Sequence, residues 1–211
     1  MRFSLFFLLL CCSALAHAEW TGVEFEISDI DADWEFADGV RNNKINSIGF
    51  LIEERAVGGL SVGGGIRYLT MRLDSKNAMD SGRFDAQNLE VFLRQEFLFG
   101  ESFALRGLLS YGYYNGNENV EEDRAEINWS QVDLEIGASV QVANLRFTPF
   151  ARYTDVDGDI RGDFGTAVFK LQDPYNYGLR FDIFIEKTAF IGIRLQSGSQ
   201  SGGYLSFVRR Y

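Results

Sequence analysis

The chain has 211 residues, of which 46% are hydrophobic and 15% aromatic. These fractions exclude a disordered or collagen-like chain. The 22 glycines and 19 phenylalanines, against only 2 prolines, favour strands joined by tight turns over a helical bundle. The net charge of -10 leaves no basic face for a phosphate backbone, so no nucleic acid is expected as a partner.

The start of the chain has the three parts of a secretory signal peptide. Arg2 supplies the positive charge, residues 3–10 form a run that is apolar apart from Ser4, and residues 16–18 read Ala-His-Ala, which fits a small-x-small cleavage site. We therefore predict a signal peptide at 1–18 and a single mature domain at 19–211. A lipid anchor at the cysteine pair is the less favoured alternative, because Leu10 stands where a small residue is expected.

Cleavage at that site removes two kinds of reactive side chain. The only histidine, His17, and both cysteines, Cys11 and Cys12, precede residue 19. The mature chain then lacks disulfides, thiolate metal sites and imidazole acid–base catalysis. We predict a protein that is not an enzyme and has no cofactor.

Residues 19–211 alternate between apolar and polar side chains, the pattern of half-buried strands. The clearest example runs from Val132 to Val142. The alternating segments are 23–27, 48–52, 60–68, 89–93, 103–113, 132–142, 145–153, 175–185, 191–195 and 205–211. We predict an all-β, closed antiparallel transmembrane barrel of about ten strands, with eight as the fallback, because an even count lets the barrel close with both ends on one side.

The connections between these segments alternate in length. Long, acidic connections are predicted at 31–44, 74–83, 115–126 and 155–173, and short ones at 56–58, 100–102, 143–144 and 187–188. Short periplasmic turns and long external loops are typical of outer-membrane barrels.

Aromatic residues at the segment ends indicate which face meets lipid. One predicted girdle comprises Tyr68, Tyr111, Tyr113, Trp129, Tyr153, Tyr175 and Tyr177, and the other comprises Phe97, Phe103 and Tyr211. Two girdles favour a membrane barrel with its apolar face outside. A soluble periplasmic ligand-binding barrel, which would need the apolar face inside, remains an alternative.

These features resemble the small outer-membrane β-barrels of Gram-negative bacteria, such as the OmpA, OmpX and opacity-protein barrels. The resemblance rests on Trp20, Thr21 and Gly22 at the first strand, on the loop asymmetry, and on the aromatic ending with Phe207 and Tyr211. It implies location in the outer membrane, contact with membrane lipid and lipopolysaccharide, and recognition of the last strand by the barrel-assembly machinery, with Tyr211 and Phe207 as the assembly signal. Arg209 departs from the family pattern, since that position is usually apolar.

The polar face carries charges of both signs, which predicts ion pairing inside the barrel. The predicted network comprises Glu24, Glu26, Arg67, Glu90, Arg94, Glu96, Arg106, Asp133, Glu135, Arg146, Arg152, Arg180, Asp182 and Arg194, with Glu53 and Glu186 also on the inward face. The near balance of arginines and acids favours structural pairing over a pair of catalytic carboxylates.

Two local features have competing interpretations. Asp155, Asp157 and Asp159 have the alternate spacing of a calcium loop, but position twelve of that loop would be Thr166 rather than Glu. We therefore predict a solvated acidic loop and no metal site. Pro149 falls within a strand, which predicts a β-bulge there.

These observations predict a non-enzymatic outer-membrane protein that acts in cell-surface interaction or envelope integrity, with an extracellular partner that the sequence does not name. The main alternative is a narrow porin for small solutes. The two differ in whether the predicted charge network closes the lumen.

Overall fold

The computed structural model describes residues 19–73, 82–100, 102–118, 125–162 and 165–211. The predicted signal peptide at 1–18 lies outside these residues. Nearly all of the described chain is strand: β1 (Trp20–Phe36), β2 (Gly39–Arg55), β3 (Leu60–Leu73), β4 (Arg83–Phe99), β5 (Phe103–Glu118), β6 (Glu126–Val142), β7 (Leu145–Gly162), β8 (Gly165–Leu171), β9 (Tyr175–Glu186), β10 (Ala189–Gly198) and β11 (Gln200–Arg210). A single 3-10 turn, Val57–Gly59, joins β2 to β3. In the part of the chain that the structure describes, no helix is long and apolar enough to cross a membrane.

Ten of the strands form a closed antiparallel barrel, as predicted. Each strand pairs with its neighbours in the chain, except that β7 pairs with β9, and β11 returns to pair with β1. The closing ladder runs from Gly22 opposite Arg210 to Ala32 opposite Gln200. Closure leaves the main ladder without a free edge, which is what a strand-built membrane span requires.

The remaining strand, β8, closes one end of the barrel by bridging β7 and β1 directly. It pairs with the end of β7, where Asp157 lies opposite Lys170, and with the tip of β1, where Trp34 lies opposite Leu171. The β10–β11 hairpin stops short of β8, at Ser199. The Ser199 carbonyl accepts a 2.9 Å hydrogen bond from the Asp33 amide. The barrel wall therefore changes from ten strands to eight, with β8 standing in for β9, β10 and β11.

The two ends of the barrel differ. We call the end that holds the short connections, Glu19 and Tyr211 the turn end, and the opposite end the loop end. The short connections are as predicted. Two of the long ones were predicted wrongly as loops: β1 and β2 extend until only residues 37–38 separate them, and most of 155–173 is strand. The other two fall largely on residues 74–81 and 119–124, which lie outside the described residues.

The cause of this error is a reversal of polarity along each long strand. In β7, Leu145, Phe147 and Tyr153 point outward while Arg146 and Arg152 are buried. Beyond Tyr153 the outward side chains are Asp155 and Asp157, and the buried ones are Thr154 and Val156. The period of two is unbroken, but the apolar side chains change from the outer face to the inner face. Strands that leave lipid for water and keep a packed interior show this change.

Pro149 does not produce the predicted bulge. Gly137 lies opposite Phe150 and Val140 lies opposite Phe147, so the β6–β7 register is the same on both sides of the proline. Only the two intervening pairs, at Ala138 and Ser139 of β6, are missing from the ladder. Proline lacks an amide donor, and here that absence is accommodated without an inserted residue.

Candidate functional site

Charged side chains fill the turn-end half of the barrel interior. Asp182 is fully buried and accepts hydrogen bonds of 2.7 Å from both the Arg146 and the Arg180 Nε atoms. Glu96 is shared in the same way by Arg55, at 2.8 Å, and Arg106, at 3.3 Å. Each of these carboxylates thus serves two guanidinium groups.

A second set of ion pairs lies nearer the loop end. Arg67 pairs with Glu26 at 3.2 Å and with Glu90. Glu135 receives both Arg194 and Arg152, the latter at 2.9 Å. With Asp133 this set has four acids to three arginines, whereas in the turn-end pairs given above four arginines share two acids.

Asp133 also belongs to this second set, and hydroxyl groups donate hydrogen bonds to it. It accepts hydrogen bonds from Thr154 Oγ1 at 2.7 Å and from Ser110 Oγ at 3.2 Å, and it lies 4.0 Å from Arg152. Neutral donors thus satisfy a buried carboxylate whose nearest arginine is committed mainly to Glu135.

Many of these pairs cross the lumen instead of following the wall. Arg194 on β10 reaches Glu135 on β6, and Arg180 on β9 lies 3.8 Å from Glu24 on β1. In both cases two or more strands intervene around the wall. Such bridges brace the barrel from inside, and each occupies the space that a channel would need.

The structure brings every residue of the predicted network into an ion pair, and it adds Glu53, which was predicted on the inward face, and Arg55, which was not predicted. Glu53 pairs with Arg94, and Arg55 shares Glu96. Glu186 does not join the network: it lies exposed at the turn-end rim and pairs with Arg209 at 3.5 Å. It has the inward parity, but β9 ends there and the ladder shifts between Ala189 and Phe190.

Above the network, the loop end is filled by an apolar core that we call the cap cluster. Its members are Ala32, Trp34, Phe36, Leu69, Met71, Leu73, Phe84, Ala86, Ile127, Trp129, Val156, Phe169 and Leu171. Trp129 was wrongly predicted to lie in an outer girdle; it points inward and stacks on Tyr114 at 4.3 Å. The signal that locates this cluster in the sequence is the polarity reversal, which puts Val156 and Trp129 on the inner face.

The interior cavities beneath the cap cluster are small. One of about 110 Å³ lies between aromatic side chains, including Trp34 and Tyr114, and the charge network. Another of about 40 Å³ lies between Arg106 and Glu135. Arg94, Arg180 and Arg194 line both cavities, so these side chains stand between them.

The outer face of the lower barrel is an apolar belt of exposed side chains, among them Phe25, Ile48, Leu89, Ile136 and Ile193. Tyrosines edge the belt on the loop side at positions 68, 111, 113, 153, 175 and 177, and Phe97, Phe103 and Tyr211 are exposed near the turn end. A soluble barrel would bury this surface. The ligand-binding alternative is therefore wrong about which face is inside.

Comparison with solved structures gives the same fold. The translocator domain of the autotransporter NalP from Neisseria meningitidis aligns with a TM-score of 0.53 and 14% identity over 95% of this chain and 92% of that one. The outer-membrane protease OmpT from Escherichia coli aligns with a TM-score of 0.51 and 8% identity over 92% and 94%. The outer-membrane protein OprG from Pseudomonas aeruginosa aligns at 0.51 and 11%, over 91% and 97%. Neither protein-family models nor curated proteins give a match.

The chain folds as a Gram-negative outer-membrane β-barrel. Such barrels keep short turns on the periplasmic side and extended segments outside. By that rule we expect the turn end of this barrel to face the periplasm and the cap cluster to lie at the cell surface. We expect the outer boundary of the membrane at the reversal of polarity near Tyr153.

In this outer-membrane barrel the last strand, β11, is hydrogen-bonded to β1 along the closing ladder, which we call the closing seam. The Tyr211 amide donates a 2.8 Å hydrogen bond to the Thr21 carbonyl, and the Thr21 amide donates one of 3.1 Å in return. The side chains of Phe207 and Tyr211 are exposed on the outer face. Arg209, which departs from the family pattern, lies on that face between them, with its guanidinium carbon 5.8 Å from the centre of the Tyr211 ring.

The acidic triplet of β7 lies on the part of the barrel outside the membrane. Asp155, Asp157 and Asp159 alternate along a strand, so they spread along its outer face instead of converging as a loop would allow. Asp159 is engaged by Arg161. In the described ranges, no three His, Cys, Asp or Glu side chains gather as a metal-binding group.

Proposed function

We propose that this outer-membrane barrel is neither a pore nor an enzyme and that it presents a rigid surface outside the cell for interaction with a partner. The observation that carries this proposal is the filling of the barrel at two levels. The charge network occupies the membrane section and the cap cluster occupies the external section. A narrow porin would need a continuous aqueous path, and the charge network and the cap cluster each obstruct such a path.

The external section supplies the surface. The outward side chains of β1 and β7 include Asp29, Asp31, Asp155 and Asp157, and basic neighbours offset only some of them, as Lys44 does for Asp29 at 3.4 Å. An acidic face backed by a packed core favours a partner with a basic surface, because charge complementarity speeds encounter and opposes wrong partners.

The case against catalysis rests on the available side chains. Residues 19–211 contain no histidine and no cysteine, and the interior carboxylates are held by arginines. The structural likeness to the protease OmpT is at 8% identity and concerns the fold.

The contacts in the membrane are part of the same proposal. The apolar belt would lie against lipid and, in the outer leaflet, against lipopolysaccharide. Phe207 and Tyr211 would present the signal that the barrel-assembly machinery recognises. Both expectations come from the resemblance to small outer-membrane barrels.

The test is complementation of a deletion strain. A variant with Asp31→Asn, Asp155→Asn and Asp157→Asn neutralises the external face, and Ser130→Ala with Thr166→Ala alters the same face without removing charge. If the protein acts through surface interaction, the first variant assembles but fails to restore cell–cell or cell–surface binding, while the control restores it. If the variant with the three Asp→Asn substitutions restored every deletion phenotype, the surface role would be contradicted and a role in envelope integrity favoured.

A further inference from the structure

Three guanidinium groups surround one buried ring at the periplasmic end of the barrel. The ring of Phe190 is 3% exposed, and the guanidinium carbons of Arg210, Arg146 and Arg180 lie 5.3, 5.4 and 6.0 Å from its centre. Asp182 is the shared carboxylate partner of Arg146 and Arg180. Three positive charges are thus gathered around one negative charge.

Arg210 is the member of this group that has no carboxylate partner among the described residues. Its guanidinium carbon lies 4.5 Å from the centre of the Trp20 ring, and its Nε atom is buried without a hydrogen-bond acceptor. Stacking between Trp20 and Phe190 holds the side chain in place but leaves hydrogen-bonding capacity unused. A buried cationic donor without an acceptor is costly, which favours an anion at this position.

The acids near Arg210 are paired directly with other arginines, and Glu53 pairs with Arg94. Glu96 is already shared by Arg55 and Arg106, and Glu186 pairs with Arg209 at the exposed rim. The periplasmic mouth therefore has an excess of positive charge, whereas acids exceed arginines in the half of the network nearer the cell surface.

A cavity of about 560 Å³ opens beside Arg210, and we call it the mouth pocket. Arg146 and Lys187 line it with Arg210, and the side-chain amides of Gln141 and Asn144 are further potential donors. Glu96 and Glu186 also line it, each with the arginine partners already given. The charge network closes the inner side, so a solute that enters from the periplasm reaches a dead end.

We propose that the mouth pocket binds an oxyanion, a phosphate or a carboxylate, through Arg210. The planar guanidinium fork matches two oxygens of such a group, and the surrounding positive charge attracts it. Trp20, which lies against Arg210, reports occupancy. This inference does not depend on the proposed surface role, because the pocket opens on the opposite side of the membrane.

The test is titration of the folded, detergent-solubilised protein with inorganic phosphate and, separately, with succinate, at constant ionic strength balanced with chloride. Tryptophan fluorescence is followed, and heat-dependent electrophoretic migration confirms folding. Saturable binding at millimolar concentrations is expected for one or both probes, and the comparison assigns the site to phosphate, to carboxylates or to oxyanions in general. Arg210→Gln should weaken binding by about ten-fold or more, as expected when a charged hydrogen bond is lost.

Arg161→Gln is the matched control, since it removes an exposed arginine at the opposite end of the barrel, and it should bind as the unmodified protein does. Lys187 lies in an exposed turn, so the Lys187→Glu variant should fold. It should weaken binding through the change of charge alone, which keeps the test valid even if Arg210→Gln does not fold. Absence of saturation with both probes, or equal affinity in the unmodified, Arg210→Gln and Lys187→Glu proteins, would overturn the proposal.

Discussion

The indole of Trp34 stacks on the ring of Phe169, with centroids 4.2 Å apart and planes 9° from parallel. The two residues lie on β1 and β8, far apart in the chain, at the point where the barrel wall changes from ten strands to eight. Trp34 also meets Trp129 edge to face at 5.4 Å. This aromatic stack joins the strand that replaces β9, β10 and β11 to the rest of the wall.

Replacing Trp34 by Ala should therefore loosen the external section while the membrane barrel stays folded. Removing a buried tryptophan typically costs roughly 3–5 kcal/mol. Amide hydrogen exchange should accelerate in β8 and in the tip of β1, with little change in β9 and β10. Val168→Ala, which alters an exposed position on β8, is the control. Unchanged protection in β8 of the Trp34 variant would mean that the stack does not hold this strand.

Single cysteines should locate the membrane boundary, and the absence of cysteine from residues 19–211 makes the labelling clean. Ala151 and Asp157 both point outward on β7, on opposite sides of the polarity reversal. On intact cells a membrane-impermeant maleimide should label Asp157→Cys readily and Ala151→Cys poorly, because lipid covers the second. Equal labelling of the two variants would place the boundary elsewhere.

Deletion of Tyr211 should lower the amount of assembled barrel more than substitution of a residue in an external turn, such as Ala37→Ser. The deletion removes both the terminal aromatic and the hydrogen bonds with Thr21 that end the closing seam. Tyr211→Phe keeps the ring and the backbone and should assemble normally. The folded fraction, read from heat-dependent electrophoretic migration, is the measurement, and normal assembly after the deletion would remove the role assigned to this residue.

The strands of the membrane section follow from local pattern alone. Around Leu145 and Phe147, apolar and charged residues alternate with the period of a strand, and the aromatic edges indicate which face is outside. The ion pairs follow less directly, because the sequence shows that arginines and acids share a face but not that Arg194 crosses the lumen to Glu135. Such contacts depend on barrel closure.

The external section was predicted poorly because composition dominated the interpretation. Asp155 and Asp157 indicated a loop, although Val156 between them keeps the strand period with the polarity reversed. The position of β8 was beyond local reasoning, since it pairs Leu171 with Trp34 across most of the chain. Glu186 was assigned to the lumen by parity, and only the end of β9 and the register shift near Phe190 explain its exposure.

The central claim is that the barrel is filled, and ion conductance in planar bilayers tests it most directly. The unmodified protein should show little or no steady conductance, because arginine–carboxylate bridges cross the lumen beneath the cap cluster. The combined variant Arg94→Ala, Arg106→Ala and Arg180→Ala should conduct more, since it removes side chains that line the cavity of about 40 Å³ between Arg106 and Glu135. It also breaks the ion pairs of Glu53 with Arg94 and of Glu24 with Arg180, and it leaves Glu96 with Arg55 alone. Stable open channels in the unmodified protein would contradict the account and establish the porin alternative.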